Sequence, residues 1–70
     1  MVSSIAQLID LFGGPASYAR EVGMTAGAAK QAKRRGTLNA KWFAPTARAA
    51  ERRGLPVTIE TLAEIAERVQ

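Results

Sequence analysis

The chain has 70 residues, of which 47% are hydrophobic and 23% charged, and its formal net charge is +4. This length allows one domain with a small core, and the composition is typical of a globular protein rather than a disordered one. Because the sequence contains no cysteine and no histidine, it excludes disulfides, thiol chemistry and the usual zinc sites, and no metal or cofactor is expected.

Apolar residues near the start of the chain recur at the spacing of one helix face. Ile5, Leu8, Ile9 and Phe12 follow this spacing, which predicts a first helix over residues 4–12. A serine at position 3 or 4 can cap this helix, and Gly13 can end it in the left-handed conformation that glycine adopts at little cost.

Two further short helices are predicted on either side of Gly23. Pro15 suits the first position of a helix, so the second helix is expected over residues 15–22. Thr25 is a good N-cap, so the third helix is expected over residues 26–35, where Gly36 stops it. The residues predicted to face inward on these two helices are Tyr18, Ala19, Val22, Ala29 and Ala32.

The last part of the chain predicts two more helices. A fourth helix is expected from about Lys41 to Arg53, with Asn39 as a possible cap. Pro45 would lie beyond its first turn, remove one backbone hydrogen bond and distort the turn at residues 42–44. A fifth helix is expected over residues 58–69, capped by Thr58. Its predicted inward residues are Ile59, Leu62, Ala63, Ala66 and Val69, with Ile65 on the flank.

These elements predict an all-α fold, since no segment alternates like a β-strand. We expect one domain over residues 1–70, a compact bundle of about five short helices. Within it, residues 15–35 have the features of a helix-turn-helix: the small Ala19 where the two helices cross, Gly23 in the turn, and Thr25 as the cap of the second helix.

The same region resembles a known family of DNA-binding domains. Residues 12–24 (FGGPASYAREVGM) and 28–32 (AAKQA) look like the helix-turn-helix of the phage Cro/CI repressor superfamily. They are also similar to small bacterial Cro-like and YdaS-like regulators, in which a basic run and an aromatic pair often follow. Here these are residues 33–36 (KRRG) and the pair Trp42-Phe43. The resemblance covers roughly residues 8–54 and implies a lambda-repressor-like fold that binds double-stranded DNA.

The resemblance also implies which residues would contact DNA. Gln31 is suited to a two-point contact with adenine and Lys30 to guanine or phosphate, while Arg34 lies one turn further along. The first backbone N–H groups of the second helix would face a phosphate. The implied base-reading positions are Thr25, Ala26, Gly27, Lys30, Gln31 and Arg34. The implied phosphate contacts are Ala16, Ser17, Lys33, Arg35 and Lys41.

The charge distribution is compatible with this interpretation. Residues 30–53 hold eight of the ten lysines and arginines and one acidic residue. Such a stretch is either an ordinary solvated face or an electrostatic footprint for phosphate. Arg48, Arg52 and Arg53 are expected mainly to cover the surface of the fourth helix, and Trp42 and Phe43 to pack in the core. The acidic face of the fifth helix (Glu60, Glu64 and Glu67) is expected to be solvated.

The tip of the third helix leaves two interpretations open. Ala26, Gly27 and Ala28 offer almost no hydrogen-bonding side chain. Either the small surface lets the backbone lie deep in the major groove, with alanine against thymine methyl groups, or binding depends mainly on backbone charge and DNA shape.

The sequence therefore predicts a sequence-specific transcriptional regulator, most simply a repressor, that acts as a cytoplasmic homodimer on DNA. The alternatives are a nucleoid-associated architectural protein of low specificity, and a protein-interaction module such as an antitoxin-like or adaptor subunit. An enzyme is not expected, because the chain offers no histidine and little room for a shielded cleft. No small-molecule substrate and no membrane segment are expected.

Overall fold

The computed structural model describes the backbone of residues 2–69 and the side chains of residues 2–68. The described residues form five α-helices and one 3₁₀ turn, without a β-strand, which confirms the all-α prediction. The elements are α1 (Ile5–Leu11), α2 (Pro15–Val22), α3 (Ala26–Arg35), the 3₁₀ turn (Ala40–Trp42), α4 (Phe43–Arg53) and α5 (Ile59–Val69). They pack into a bundle of 26 × 25 × 20 Å.

The helix starts follow the predicted caps. The Ser4 hydroxyl accepts a hydrogen bond from the backbone N–H of Gln7 at 3.1 Å, at the start of α1. The Thr58 hydroxyl accepts one from the backbone N–H of Thr61 at 3.2 Å, at the start of α5. Each bond satisfies an N–H group that has no partner inside its helix. These local signals explain why the predicted starts agree with the observed ones.

The start of α4 corrects the prediction for Pro45. The irregular turn lies at Ala40–Trp42 rather than at residues 42–44, and Asn39 caps it by accepting from the N–H of Lys41 at 3.0 Å. Since α4 begins at Phe43, Pro45 is its third residue. The N–H of a third residue has no intrahelical partner in any α-helix, so the proline costs α4 no hydrogen bond.

The core combines large side chains from α1, α2 and α5 and from Phe12 with alanines from α2, α3 and α4. Phe12 and Tyr18 are fully buried, and their rings meet edge to face with centroids 5.2 Å apart. Alanines at the crossings of α2, α3 and α4 let the helix backbones approach closely. The buried apolar residues are Val2, Ile5, Leu8, Ile9, Phe12, Tyr18, Ala19, Val22, Ala29, Ala32, Ala49, Ala50, Val57, Leu62 and Ile65.

The inward face of α5 differs from the prediction. Leu62 and Ile65 are buried, whereas Ile59 is 51% exposed and Ala63 is exposed. Val57, two residues before the helix, is buried and already fills the core at this end. The helix is therefore rotated so that Ile65, expected on the flank, points inward. Ala66 is half-buried, and the side chain of Val69 lies outside the described residues.

A buried hydrogen bond joins the second helix to the fourth. The hydroxyl oxygens of Tyr18 and Thr46 lie 2.6 Å apart, and both side chains are fully buried. Burial raises the pKa of Tyr18 above its ordinary value near 10, although the hydrogen bond to Thr46 partly opposes this. The tyrosine is therefore neutral at physiological pH, and one of the two hydroxyls donates to the oxygen of the other.

This pair predicts a non-additive effect of mutation on stability. Tyr18→Phe leaves the Thr46 hydroxyl without its partner in the core, so we expect the free energy of unfolding to fall by about 1–3 kcal/mol. Thr46→Val is expected to cost a similar amount for the same reason. The double variant should recover part of the loss, because no buried hydroxyl is then unsatisfied. Urea unfolding of the four proteins measures the coupling, and strictly additive losses would contradict it.

None of the helices formed within residues 2–69 has the length and apolar character needed to cross a lipid bilayer.

Candidate nucleic-acid interface

The turn between α2 and α3 fixes how the two helices meet. Gly23 adopts a left-handed conformation with φ of +86°, which side chains other than glycine rarely tolerate. The N–H groups of Gly23 and Met24 both donate to the carbonyl oxygen of Ala19, at 2.9 and 3.0 Å. Thr25 then caps α3 by accepting from the N–H of Ala28 at 3.1 Å. The helix-turn-helix features predicted for residues 15–35 are therefore present in the backbone.

The outer face of α3 follows from its buried face. Ala29 and Ala32 are buried against the bundle. At 3.6 residues per turn, the side chains opposite these two alanines form a stripe along the helix. We call it the α3 stripe, and it consists of Gly27, Lys30, Gln31 and Arg34. All four residues are exposed.

The remaining two positions predicted for base reading lie at the start of α3. Thr25 and Ala26 are exposed. The Thr25 oxygen already accepts the capping hydrogen bond, so its hydroxyl proton is what it can offer to a ligand. Gly27 has open space where a Cβ would be, so the tip of α3 is a flat surface that a ligand can approach closely.

The cations beside the α3 stripe differ in their surroundings. The Nζ of Lys33 lies 2.8 Å from the carboxylate of Asp10 in α1, so part of its charge is neutralised within the protein. Arg35 ends α3 and Lys41 lies in the 3₁₀ turn, and both are exposed. The three cations predicted to contact phosphate therefore divide into one paired lysine and two exposed residues.

An open groove of about 440 Å³ separates α3 from the segment that follows it. Gln31 and Arg35 line one side, and Asn39 lies on the other. Trp42 also lines the groove and packs partly against the core. Phe43 packs partly against the core as well, away from this groove. The Nζ of Lys41 lies 5.4 Å from the centre of the Trp42 ring. The two aromatic residues thus have the core contacts expected from the sequence.

The start of α2 presents the other predicted phosphate contacts. Its N-cap is Gly14, which has no side chain to accept from the first N–H groups. Ala16 is exposed and Ser17 is half-buried. The N-terminal end of a helix carries a partial positive charge, which favours an anion.

Two of the arginines in α4 have structural contacts that the sequence did not predict. Arg53 donates to the carbonyl oxygen of Phe12 at 2.9 Å, and its guanidinium carbon lies 5.6 Å from the centre of the Phe12 ring. The Nη1 of Arg53 also lies 3.2 Å from a carboxylate oxygen of Glu21. Arg52 donates to the carbonyl oxygen of Glu21 at 3.4 Å. These contacts join the end of α4 to α2 and to Phe12, directly after α1, although Arg48, Arg52 and Arg53 are all exposed.

The α3 stripe is exposed, Arg35 and Trp42 line the groove next to Gln31, and the Nζ of Lys41 lies near the Trp42 ring. Lys33 lies towards α1, where Asp10 holds it. Comparison of the chain with family models, curated proteins and solved structures finds no match.

Proposed function

We propose that the protein binds double-stranded DNA with α3 in the major groove and regulates transcription, most simply by occupying an operator and repressing it. The observation that carries this proposal is the α3 stripe. It combines an amide, an ammonium and a guanidinium group on one exposed side of a helix that α2 braces from behind. These groups form the usual hydrogen bonds to adenine and guanine in the major groove.

The resemblance to the Cro/CI superfamily supports the same function. In the proposed complex, Gln31 contacts adenine, and Lys30 contacts guanine or phosphate. Arg34 contacts a base edge or the DNA backbone, and the small tip at Gly27 allows close approach. The start of α2 binds a phosphate with the N–H groups of Ala16 and Ser17.

The surrounding charge supports binding to a polyanion. Arg35 and Lys41 are exposed beside the α3 stripe, and cations in such positions bind phosphates without reading the sequence. Lys33 contributes less in this proposal, because Asp10 already pairs with it.

The proposed active form is a homodimer located at the nucleoid. One helix-turn-helix of this size reads only a few base pairs. Two copies on a two-fold site, with half-sites about 34 Å apart, double the contact surface and match a palindromic operator.

Random-sequence DNA selection tests the assignment of the α3 stripe. Wild-type protein is expected to enrich a motif, and Lys30→Ala combined with Gln31→Ala is expected to weaken it, since each good bidentate contact discriminates by about 1–3 kcal/mol. Arg68→Ala is the matched control, because this arginine lies on α5 and donates to the carbonyl oxygen of Ser3 at 3.3 Å. An unchanged motif in the double variant would refute the assignment.

A second candidate function is a nucleoid-associated protein that coats DNA with little sequence preference. The observation that favours it is the flat tip of α3, where Gly27 faces open space between two alanines. The same selection experiment separates the two functions, because a coating protein would give a flat profile despite tight binding.

A further inference from the structure

The groove between α3 and the segment that follows it, here called the α3 groove, combines an apolar lining with a polar one. Its apolar lining includes Met24, Ala32 and Leu38, which belong to the core or pack against it. The polar side chains that line it are all exposed: Gln31, Arg35, Thr37 and Asn39. Sites for small molecules have this mixed composition, and the volume of about 440 Å³ lies within their usual range.

The charge of the α3 groove favours an anion. Among the described residues that line it, Arg35 is the charged one. The Nζ of Lys41 lies 5.4 Å from the centre of the Trp42 ring, which brings a second cation near the same groove. A guanidinium group binds a carboxylate or a phosphate through two parallel N–H donors. An anionic group on a ligand is therefore drawn to the side of the groove that Arg35 lines.

The uncharged part of the lining favours a planar ring. Trp42 is half-buried and gives the α3 groove an aromatic wall, and aromatic rings attract one another in edge-to-face or offset arrangements. The Asn39 oxygen already accepts from the backbone N–H of Lys41 at 3.0 Å, so its amide N–H groups are what it can offer to a ligand. The amide of Gln31 offers both a donor and an acceptor. These groups suit a flat ligand with polar atoms at its edge.

We propose that the α3 groove binds a small aromatic anion, a planar ring that carries one carboxylate or phosphate group, and that this ligand weakens the binding of DNA. The anionic group contacts Arg35, and the ring packs against Trp42 and the apolar side chains of the groove. The ligand is bound and not converted.

The effect on DNA follows from two residues with two roles. Gln31 belongs both to the α3 groove and to the α3 stripe, so a ligand that holds its amide withdraws it from base reading. The same ligand withdraws Arg35 from a phosphate of the DNA. This effect rests on the proposed function, whereas binding of the aromatic anion does not depend on it.

Nuclear magnetic resonance of the isotope-labelled protein tests the site itself. The probes are naphthoate and naphthyl phosphate, and the controls are acetate, which lacks the ring, and naphthalenemethanol, which lacks the charge. At least one probe is expected to bind about tenfold more tightly than either control, because ring and anion each add contacts. Its binding should shift the signals of Gln31, Arg35 and Asn39 and the indole N–H signal of Trp42. The tighter probe identifies the preferred anionic group. Probes that bind no better than the controls, or that shift signals elsewhere, would overturn the proposal.

Two neighbouring arginines provide a matched pair of variants. Arg35→Gln removes the cation that lines the α3 groove and is expected to weaken the tighter probe by about three- to tenfold. Arg34→Gln removes the same charge from the α3 stripe and should leave the affinity for this probe nearly unchanged. Circular dichroism checks that both variants are folded. Equal weakening in the two variants would indicate a general attraction to a basic surface and would overturn the site.

Competition with DNA separates failure of the groove from failure of the proposed function. At constant ionic strength, the tighter probe is expected to lower the affinity for DNA, while acetate at the same concentration is not. The coupling is reciprocal, so DNA should lower the affinity for the probe by the same factor. A protein that binds the probe but no DNA would refute the proposed function and leave the site supported. DNA affinity that the bound probe leaves unchanged would overturn the proposed effect on DNA.

Discussion

Phe12→Ala is expected to lower the free energy of unfolding by about 3–5 kcal/mol, a large part of the stability of so small a protein. Removing a buried phenylalanine costs about 3–5 kcal/mol, through lost burial and the cavity that remains. Domains are stable by about 0.05–0.15 kcal/mol per residue, so a chain of this length has roughly 4–10 kcal/mol in total. Phe12 is fully buried and also contacts the Tyr18 ring and the Arg53 guanidinium. The substitution therefore removes a third or more of the available stability, by this order-of-magnitude comparison.

The adjacent residue provides a control for this variant. Leu11 is 43% exposed, so Leu11→Ala should change the free energy of unfolding by a much smaller amount. Urea unfolding followed by circular dichroism measures both, with the wild-type curve as reference. Equal losses for the two variants would contradict the placement of Phe12 at the centre of the core.

The second large expected effect is the loss of DNA affinity as salt rises. Each phosphate neutralised by a lysine or arginine releases counterions, so a dimer with about 6–10 phosphate contacts should lose about 10³–10⁵ in affinity between 50 and 200 mM salt. Lys30, Arg34, Arg35 and Lys41 are exposed, and these four cations would give eight such contacts if two copies bound together. Fluorescence anisotropy of labelled DNA over a salt series measures the slope. A salt-independent complex would argue against DNA binding and for a protein-interaction module.

A comparison of two neighbouring cations sharpens this test. Arg34→Gln removes a charge from the exposed α3 stripe and should reduce the slope by about one phosphate contact per protomer. Lys33→Gln should reduce it less, because Asp10 already pairs with that lysine. If Lys33→Gln reduces the slope as much as Arg34→Gln, the ion pair with Asp10 does not persist in the complex.

Features governed by neighbouring residues could be predicted from the sequence. The cap at Thr25, the turn at Gly23 and the burial of Ala29 and Ala32 each depend on a few positions in a row. The spacing of the apolar residues in α3 is therefore enough to identify the outer face of this helix, including Gln31. Capping preferences and helical periodicity depend only on residues close together in the sequence, and the features of the helix-turn-helix depend mainly on these two.

Features governed by distant residues could not be predicted in the same way. The contact of Arg53 with Phe12 joins positions 41 residues apart, and no local pattern signals it. Val57, before the start of α5, is buried at this end of the core, so Ile59, which the sequence predicts to face inward, is exposed. The position of Pro45 was misjudged because the 3₁₀ turn before α4 shifts the helix start by two residues from the prediction at Lys41.

The position of Trp42 provides an intrinsic optical probe. It is the single tryptophan of the chain, and it lines the groove beside α3 while resting partly on the core. The Nζ of Lys41 lies over its ring, so a phosphate that draws this lysine away alters the field around the indole. Unfolding exposes the same ring to water. The emission of one unlabelled residue can thus follow both the folding of the bundle and the arrival of a ligand at the side of α3.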